Sequence, residues 1–94
     1  ATVLLSPEGL RILRAVQPAA AEWAERTQRP PQGLRARPGW VEAELPTESD
    51  AYAARQLLRL GTDVEVLAPT SLREAVRKEA MAVARRHRAR GLIG

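Results

Sequence analysis

Prolines constrain the fold of this chain more than any other residue type. A proline has no backbone N–H, so it interrupts the hydrogen-bond ladder of a helix or of a central strand. Prolines stand where segments begin, end or turn, at Pro7, Pro18, Pro30–Pro31, Pro38 and Pro69. The sequence therefore predicts a series of short helices and strands.

The first third of the chain predicts one strand and two helices. Thr2–Leu5 is an apolar, β-branched start, and Ser6 followed by Pro7 is a strong helix N-terminus. This helix should end near Val16, because Pro18 interrupts its ladder. A second helical stretch is expected from Ala19 to Arg26, with three residues on its inner face: Ala20, Trp23 and Ala24.

A β-hairpin is predicted at residues 33–45, which alternate with period two on both sides of a Pro-Gly turn. In this register Arg35 faces Glu42, and Trp40 lies on the polar side of the sheet. Aromatic and arginine side chains concentrate in subunit interfaces. We therefore name Arg35, Arg37 and Trp40 as interface candidates. The alternatives are a local cation–π contact from Arg37 and, less favoured, base stacking on Trp40.

The second half predicts a helix, a strand and a long last helix. Ser49 or Asp50 caps the first of these helices, and Gly61 suits the left-handed position after its end. Asp63–Leu67 alternates as a strand. The last helix should begin at Ser71, in a reciprocal capping arrangement with Glu74, and run to about Arg88. Its predicted inner stripe is Leu72, Val76, Ala80 and Val83, with Ala84 and His87 at the edge.

These elements predict an α+β domain with a ferredoxin-like split βαββαβ antiparallel sheet and an additional C-terminal helix. One domain over residues 1–94 is expected, with an ordered core at 1–90 and a tail at 91–94. The helices should cover one face of the sheet and leave its other face or its edges open to a partner.

Positive charge is concentrated in the last helix, although the whole chain carries only +4. Residues 70–90 hold seven basic and two acidic side chains, and the remainder is close to neutral. At about 100° per residue, four cations share one side of the helix. This stripe is a nucleic-acid-binding candidate: Arg77, Lys78, Arg85 and Arg88. The alternative, which we favour, is a solvated helix face with basic residues near the negative end of the dipole.

Reactive chemistry is not indicated anywhere in the chain. There is no cysteine, which removes disulfides, thiolate nucleophiles and cysteine-based zinc sites. The single histidine, His87, has no nucleophile near it in the predicted elements and is interpreted as a packing residue at the rim of the apolar stripe. We expect no catalytic residues, no metal and no cofactor. No apolar run approaches the length of a membrane span, so a soluble, cytoplasmic protein is expected.

Two stretches of the chain carry a family resemblance. Ala54–Pro69, with its Leu-Gly helix end and Val-Glu-Val strand, is followed by the Leu-Arg-Glu helix start at Leu72. Val3–Glu8 adds a strand that runs into Ser-Pro-Glu. This pattern resembles the C-terminal extension (WCX) domain of WYL-domain bacterial transcriptional regulators, over most of the chain.

The resemblance implies a regulator with an N-terminal winged helix-turn-helix, a central ligand-sensing WYL domain and this extension last. It also implies a ferredoxin-like fold, a homodimer, and contact with the WYL domain of the same or the partner chain. A nucleic-acid effector is a further implied partner. The Trp-Tyr-Leu signature and the helix-turn-helix are absent from these residues, so ligand sensing and promoter reading are not assigned to them. The start at Ala1 without methionine leads us to expect a piece of a longer protein.

Overall fold

The computed structural model describes residues 1–33 and 37–88. This part of the chain forms three strands and four α-helices, and a 3₁₀ turn at Gly61–Asp63 precedes the last strand. In chain order the elements are β1 Thr2–Leu5, α1 Pro7–Val16, α2 Pro18–Thr27, β2 Val41–Glu44, α3 Asp50–Leu58, β3 Val64–Ala68 and α4 Thr70–Arg86. The predicted α+β class is confirmed.

The sheet is antiparallel, in the order β2-β1-β3, with β1 at its centre. The ferredoxin-like βαββαβ order is not matched, because the described residues form three strands; the first strand of the predicted hairpin falls mostly on residues 34–36, outside the described residues. Glu42 pairs with Arg29 in an isolated bridge, in which each backbone N–H of Arg29 and Glu42 donates to the other residue's carbonyl at 2.8 Å. Pro30 and Pro31 follow at once and have no N–H, so the ladder cannot continue.

Local signals set the helix boundaries at the start of the chain. The Ser6 hydroxyl accepts from the Gly9 N–H at 2.9 Å, Pro7 opens α1, and the helix ends at Val16, all as predicted.

The inner face predicted for α2 is wrong in part. Ala21 and Ala24 are its buried residues, and Trp23 is 46% exposed. The Arg26 guanidinium covers the Trp23 ring at 4.9 Å, which shields the indole locally.

Two predictions for the termini of α3 and α4 have opposite outcomes. Ser49 caps α3 by accepting from the Tyr52 N–H at 3.2 Å, as expected. The capping arrangement predicted for Ser71 is wrong, because α4 begins one residue earlier and no side chain caps it. Glu74 instead accepts from Arg77 at 2.7 Å. Once Ser71 is inside the first turn, its hydroxyl is no longer placed to serve as an N-cap.

The core lies between one face of the sheet and the helices. Val3 and Leu5 of β1 are completely buried in it, and Leu4 is completely buried toward the opposite face. Aliphatic residues and alanines fill the core: Val3, Leu5, Leu13, Ala21, Ala24, Ala43, Leu45, Ala53, Ala54, Leu57, Leu60, Val66 and Leu72. Such a core of small and aliphatic side chains agrees with the absence of phenylalanine.

Burial along α4 declines from its first turn to its last. Leu72 is completely buried and Val76 is half-buried, but Ala80 is exposed and Val83 is 49% exposed. The predicted inner stripe is therefore correct over its first half and wrong over its second half. β3 and the short helix α3 are the main elements that α4 packs against. A helix period gives the direction in which a side chain points, but burial also needs a neighbour there.

Candidate interaction surfaces

Three glutamates share the face of the sheet that is turned away from the core. Leu4 in the central strand pairs with Glu42 on one side and with Glu65 on the other. The side chains of Leu4, Glu42 and Glu65 therefore point the same way. Glu44 lies two residues after Glu42 and belongs to the same face. We call this surface the charged face: Arg29, Arg37, Glu42, Glu44, Glu65 and Arg73.

Arg29 joins the two glutamates of β2. Its Nε donates to Glu42 at 2.9 Å and its Nη2 donates to Glu44 at 2.8 Å. The Thr2 hydroxyl also donates to Glu44, at 3.0 Å. The hydrogen bond from Arg29, helped by the one from Thr2, outweighs the effect of burial and holds the pKa of Glu44 below its ordinary value. The isolated bridge at Arg29 is therefore fixed by its side chain as well as by its backbone.

Two further arginines meet on Glu65 of β3. Arg37 donates to one carboxylate oxygen at 2.9 Å, and Arg73 of α4 donates to the other at 3.1 Å. Burial acts to raise the pKa of Glu65, but the hydrogen bonds from Arg73 and Arg37 outweigh it, so the pKa lies below its ordinary value. Arg73 also donates to the Val66 carbonyl at 2.7 Å. It therefore occupies a backbone acceptor on an edge strand of the sheet.

The ion pairs of the charged face should make the domain less stable in acid. The native chain binds fewer protons than the unfolded chain between the lowered folded pKa values and the ordinary glutamate value of about 4.3, so stability rises with pH there. We expect the free energy of unfolding to fall as the pH drops from about 5 to about 3, and Glu65→Gln to flatten that fall by up to about 1 kcal/mol. Urea titrations across this range measure it. Glu22→Gln, outside the charged face, should leave the slope unchanged; an equal flattening would contradict the assignment.

The interface candidates around Trp40 contact one another locally. The backbone N–H of Trp40 donates to the Arg37 carbonyl at 3.0 Å across the predicted Pro-Gly turn. The Arg37 guanidinium lies 4.7 Å from the centre of the Trp40 indole. Arg37 thus links Trp40 to Glu65. The cation–π alternative for Arg37 is present in the structure. Arg35 lies outside the described residues, and the interface role of all three remains a prediction.

Three of the four basic candidates, Arg77, Lys78 and Arg85, lie on α4 within about 100° of one another around its axis, and their nucleic-acid role remains a prediction. Arg77 donates to Glu74 at 2.7 Å and lies 3.0 Å from the Met81 sulfur. Lys78 and Arg85 are exposed on α4 and form no ion pair within the described residues. Arg88 lies beyond the helix, which ends at Arg86 rather than at the predicted Arg88.

His87 occupies the C-cap of α4. Its backbone N–H donates to the carbonyls of Val83 and Ala84, at 3.2 and 3.1 Å. Its Nδ1 is 3.0 Å from the Val83 carbonyl, and the side chain is exposed. The packing position predicted for His87 is therefore wrong, because the apolar stripe has already lost its neighbours at this end of the helix. His87 closes the helix end by satisfying carbonyls that have no partner within the helix.

Sequence reasoning missed a cleft between α2 and α3, with a cavity of about 270 Å³. Three separate parts of the chain line this α2–α3 cleft: the start of α2, the loop after β2, and α3. On its wall the Gln17 amide donates to the Gln56 amide oxygen at 2.8 Å, which leaves the Gln56 N–H groups for another acceptor. Glu48 is the one charged residue among the described residues that line it. The two glutamines, 39 positions apart, gave no signal in the sequence.

A second groove runs beside the edge of β3, with a cavity of about 370 Å³. Leu57 and Leu58 of α3 line it together with Val76 and Arg77 of α4. Arg73 lies across this edge and binds the Val66 carbonyl, so the strand is already covered there.

Comparison with protein families identifies the chain. The family model of the WCX domain matches residues 1–84, almost its whole length. The chain belongs to the WCX domain family. No curated protein and no solved structure matches it. The WCX family is regulatory rather than catalytic and accompanies WYL transcriptional regulators.

The extent of the family match separates the candidate residues of this WCX domain into two groups. The matched region includes the charged face, Trp40, Arg77 and Lys78. It stops before Arg85 and Arg88, so these two cations are not part of the matched pattern. Across residues 1–33 and 37–88, no helix is long and apolar enough to cross a bilayer.

Proposed function

We propose that this WCX domain is the regulatory and dimerising module of a WYL-type transcriptional regulator, and that it acts through protein contacts. The observation that carries the proposal is the WCX match over residues 1–84. Three exposed apolar side chains support a role in contacts: Tyr52, Met81 and Val83. The contacts we propose are with a second copy and with the WYL domain of the same or the partner chain.

Sedimentation velocity over a range of concentrations tests this function. We expect a reversible dimer for the chain. The regulator that contains it should form a tighter dimer, because the contact with the WYL domain adds to the contact between the two copies of this domain. A monomer in both cases, at all concentrations, would refute the proposed function.

A second candidate function is the binding of a single-stranded nucleic acid by the basic end of α4. Lys78, Arg85, Arg86 and Arg88 are exposed, and none forms an ion pair within the described residues. Each phosphate contact should add about 0.7 to the slope of log affinity against log salt for a single strand. Fluorescence anisotropy with labelled single-stranded DNA measures this slope.

Charge reversal provides the control for this candidate. Lys78→Glu with Arg85→Glu should abolish the binding. Arg11→Glu with Arg14→Glu on α1, which changes the charge by the same amount, should weaken it only slightly. Equal losses for the two double variants would indicate attraction by net charge without a site.

A further inference from the structure

Helices α3 and α4 run antiparallel. Leu57 and Leu58, at the end of α3, line the same groove as Thr70 at the start of α4. Farther along the pair, the Arg55 Nε lies 3.4 Å from the Glu79 carboxylate. The start of α3 and the last turns of α4 therefore lie at the same end of the molecule.

Exposed apolar side chains gather at this end. Tyr52 lies about one turn before Arg55 and is 55% exposed, and Val83 lies about one turn after Glu79 and is 49% exposed. Tyr52 also lines the α2–α3 cleft. Scattered apolar side chains are ordinary on a protein surface, but neighbouring ones beside a cleft are typical of a contact site. We call the last turns of α4, Ala80–Arg86, the distal end of α4.

Opposite charges lie on the two halves of this surface. Glu48 lines the α2–α3 cleft, is exposed, and forms no ion pair within the described residues. Arg86, on the same side of the distal end of α4 as Val83, is exposed and likewise has no acidic partner among the described residues. Each half therefore carries the charge that the other half would attract.

We propose that the distal end of α4 of one copy docks over the α2–α3 cleft of a second copy, and that the second copy returns the same contact. Val83 would cover Tyr52 and the mouth of the cleft, while Arg86, about 60° from Val83 around the helix axis, approaches Glu48. Because the cleft and the distal end lie at the same end of each molecule, one two-fold axis satisfies both contacts and closes the dimer. This inference rests on the proposed function, since it names the surface through which that dimer forms.

A different dimer surface and a different partner each fit these observations less well. The edge of β3 is disfavoured as a dimer seam, because Arg73 already occupies its Val66 carbonyl. A nucleic acid would be attracted by Arg85 and Arg86 but repelled by the carboxylate of Glu48 in the cleft beside them. A second copy satisfies both signs of charge at once.

A charge-swap experiment tests the reciprocal contact. Glu48→Arg alone, or Arg86→Glu alone, places like charges against each other in both contacts, and each should weaken self-association at least tenfold in sedimentation velocity. A one-to-one mixture of these two variants pairs opposite charges in both contacts. The mixture should form a heterodimer with an affinity within about threefold of the wild-type dimer. Circular dichroism confirms that each variant is folded.

The control and the remaining outcomes separate this inference from the proposed function. Glu22→Arg, on the side of α2 away from the cleft, carries the same charge change as Glu48→Arg and should leave the dimer unaffected. A wild-type dimer that ignores all these reversals would overturn the docking mode and leave the proposed function standing. A mixture that stays monomeric would also overturn it. If the reversals changed self-association only in the presence of single-stranded DNA, the cations at the end of α4 would be assigned to nucleic-acid binding instead.

Discussion

Leu72→Ala will lower the free energy of unfolding by about 3 kcal/mol, because it removes a completely buried side chain and leaves a cavity. Leu72 is the buried residue of α4, so this position contributes most to holding the last helix on the domain. A domain of this size is stable by only about 5–15 kcal/mol in total, so the loss is a large fraction of that stability. Urea unfolding followed by circular dichroism, at concentrations where the chain is monomeric, measures the effect.

Val83→Ala is the matched control for Leu72→Ala. Both side chains lie on the same side of α4, but Val83 is 49% exposed. The control should cost less than about 1 kcal/mol, since little apolar area returns to water. If the two substitutions had equal effects in the monomer, α4 would be buried along its whole length, contrary to the structure.

Gly9→Ala will destabilise the domain by about 2–3 kcal/mol, although alanine is ordinarily about 1 kcal/mol better than glycine in a helix. The added Cβ would lie 2.4 Å from the Asp63 carbonyl oxygen. That carbonyl accepts from the Ser6 N–H at 3.1 Å, and the Asp63 carboxylate accepts from the Ser6 hydroxyl at 2.7 Å. The turn before β3 therefore cannot move away without breaking its link to the start of α1.

Gly61→Ala separates this close contact from ordinary backbone strain. Gly61 has a φ of 59°, and a Cβ there would meet no atom within 4 Å. Its substitution should therefore cost only the strain of the left-handed conformation, about 1 kcal/mol. Thermal unfolding of both variants gives the order of the effects. A neutral or stabilising Gly9→Ala would show that α1 does not pack against this turn as closely as the structure describes.

The charged face and the α4 cations differ in what they offer a partner. On the charged face each glutamate already has an arginine partner, and Trp40 is covered by Arg37. At the distal end of α4, exposed cations and apolar side chains lie together without such partners among the described residues. A partner that binds the charged face must displace existing ion pairs, whereas one that binds the distal end need not.

The sequence by itself determined the features that depend on neighbours within about four residues. Ser6 and Ser49 cap their helices, and α1 ends ahead of Pro18, because these hydrogen bonds and steric conflicts are local. The strands at Thr2–Leu5 and Val64–Ala68, the α+β class and the WCX resemblance followed from the same local patterns.

Only the tertiary structure decided which distant residues meet. Arg29 bridges Glu42, Trp23 faces outward, and burial along α4 fades before Val83. The α2–α3 cleft joins Gln17 to Gln56, which no spacing along the chain predicts. Periodicity fixes the direction of a side chain about its own axis, but burial and pairing depend on which other element arrives there, and that is set by the packing of the whole domain.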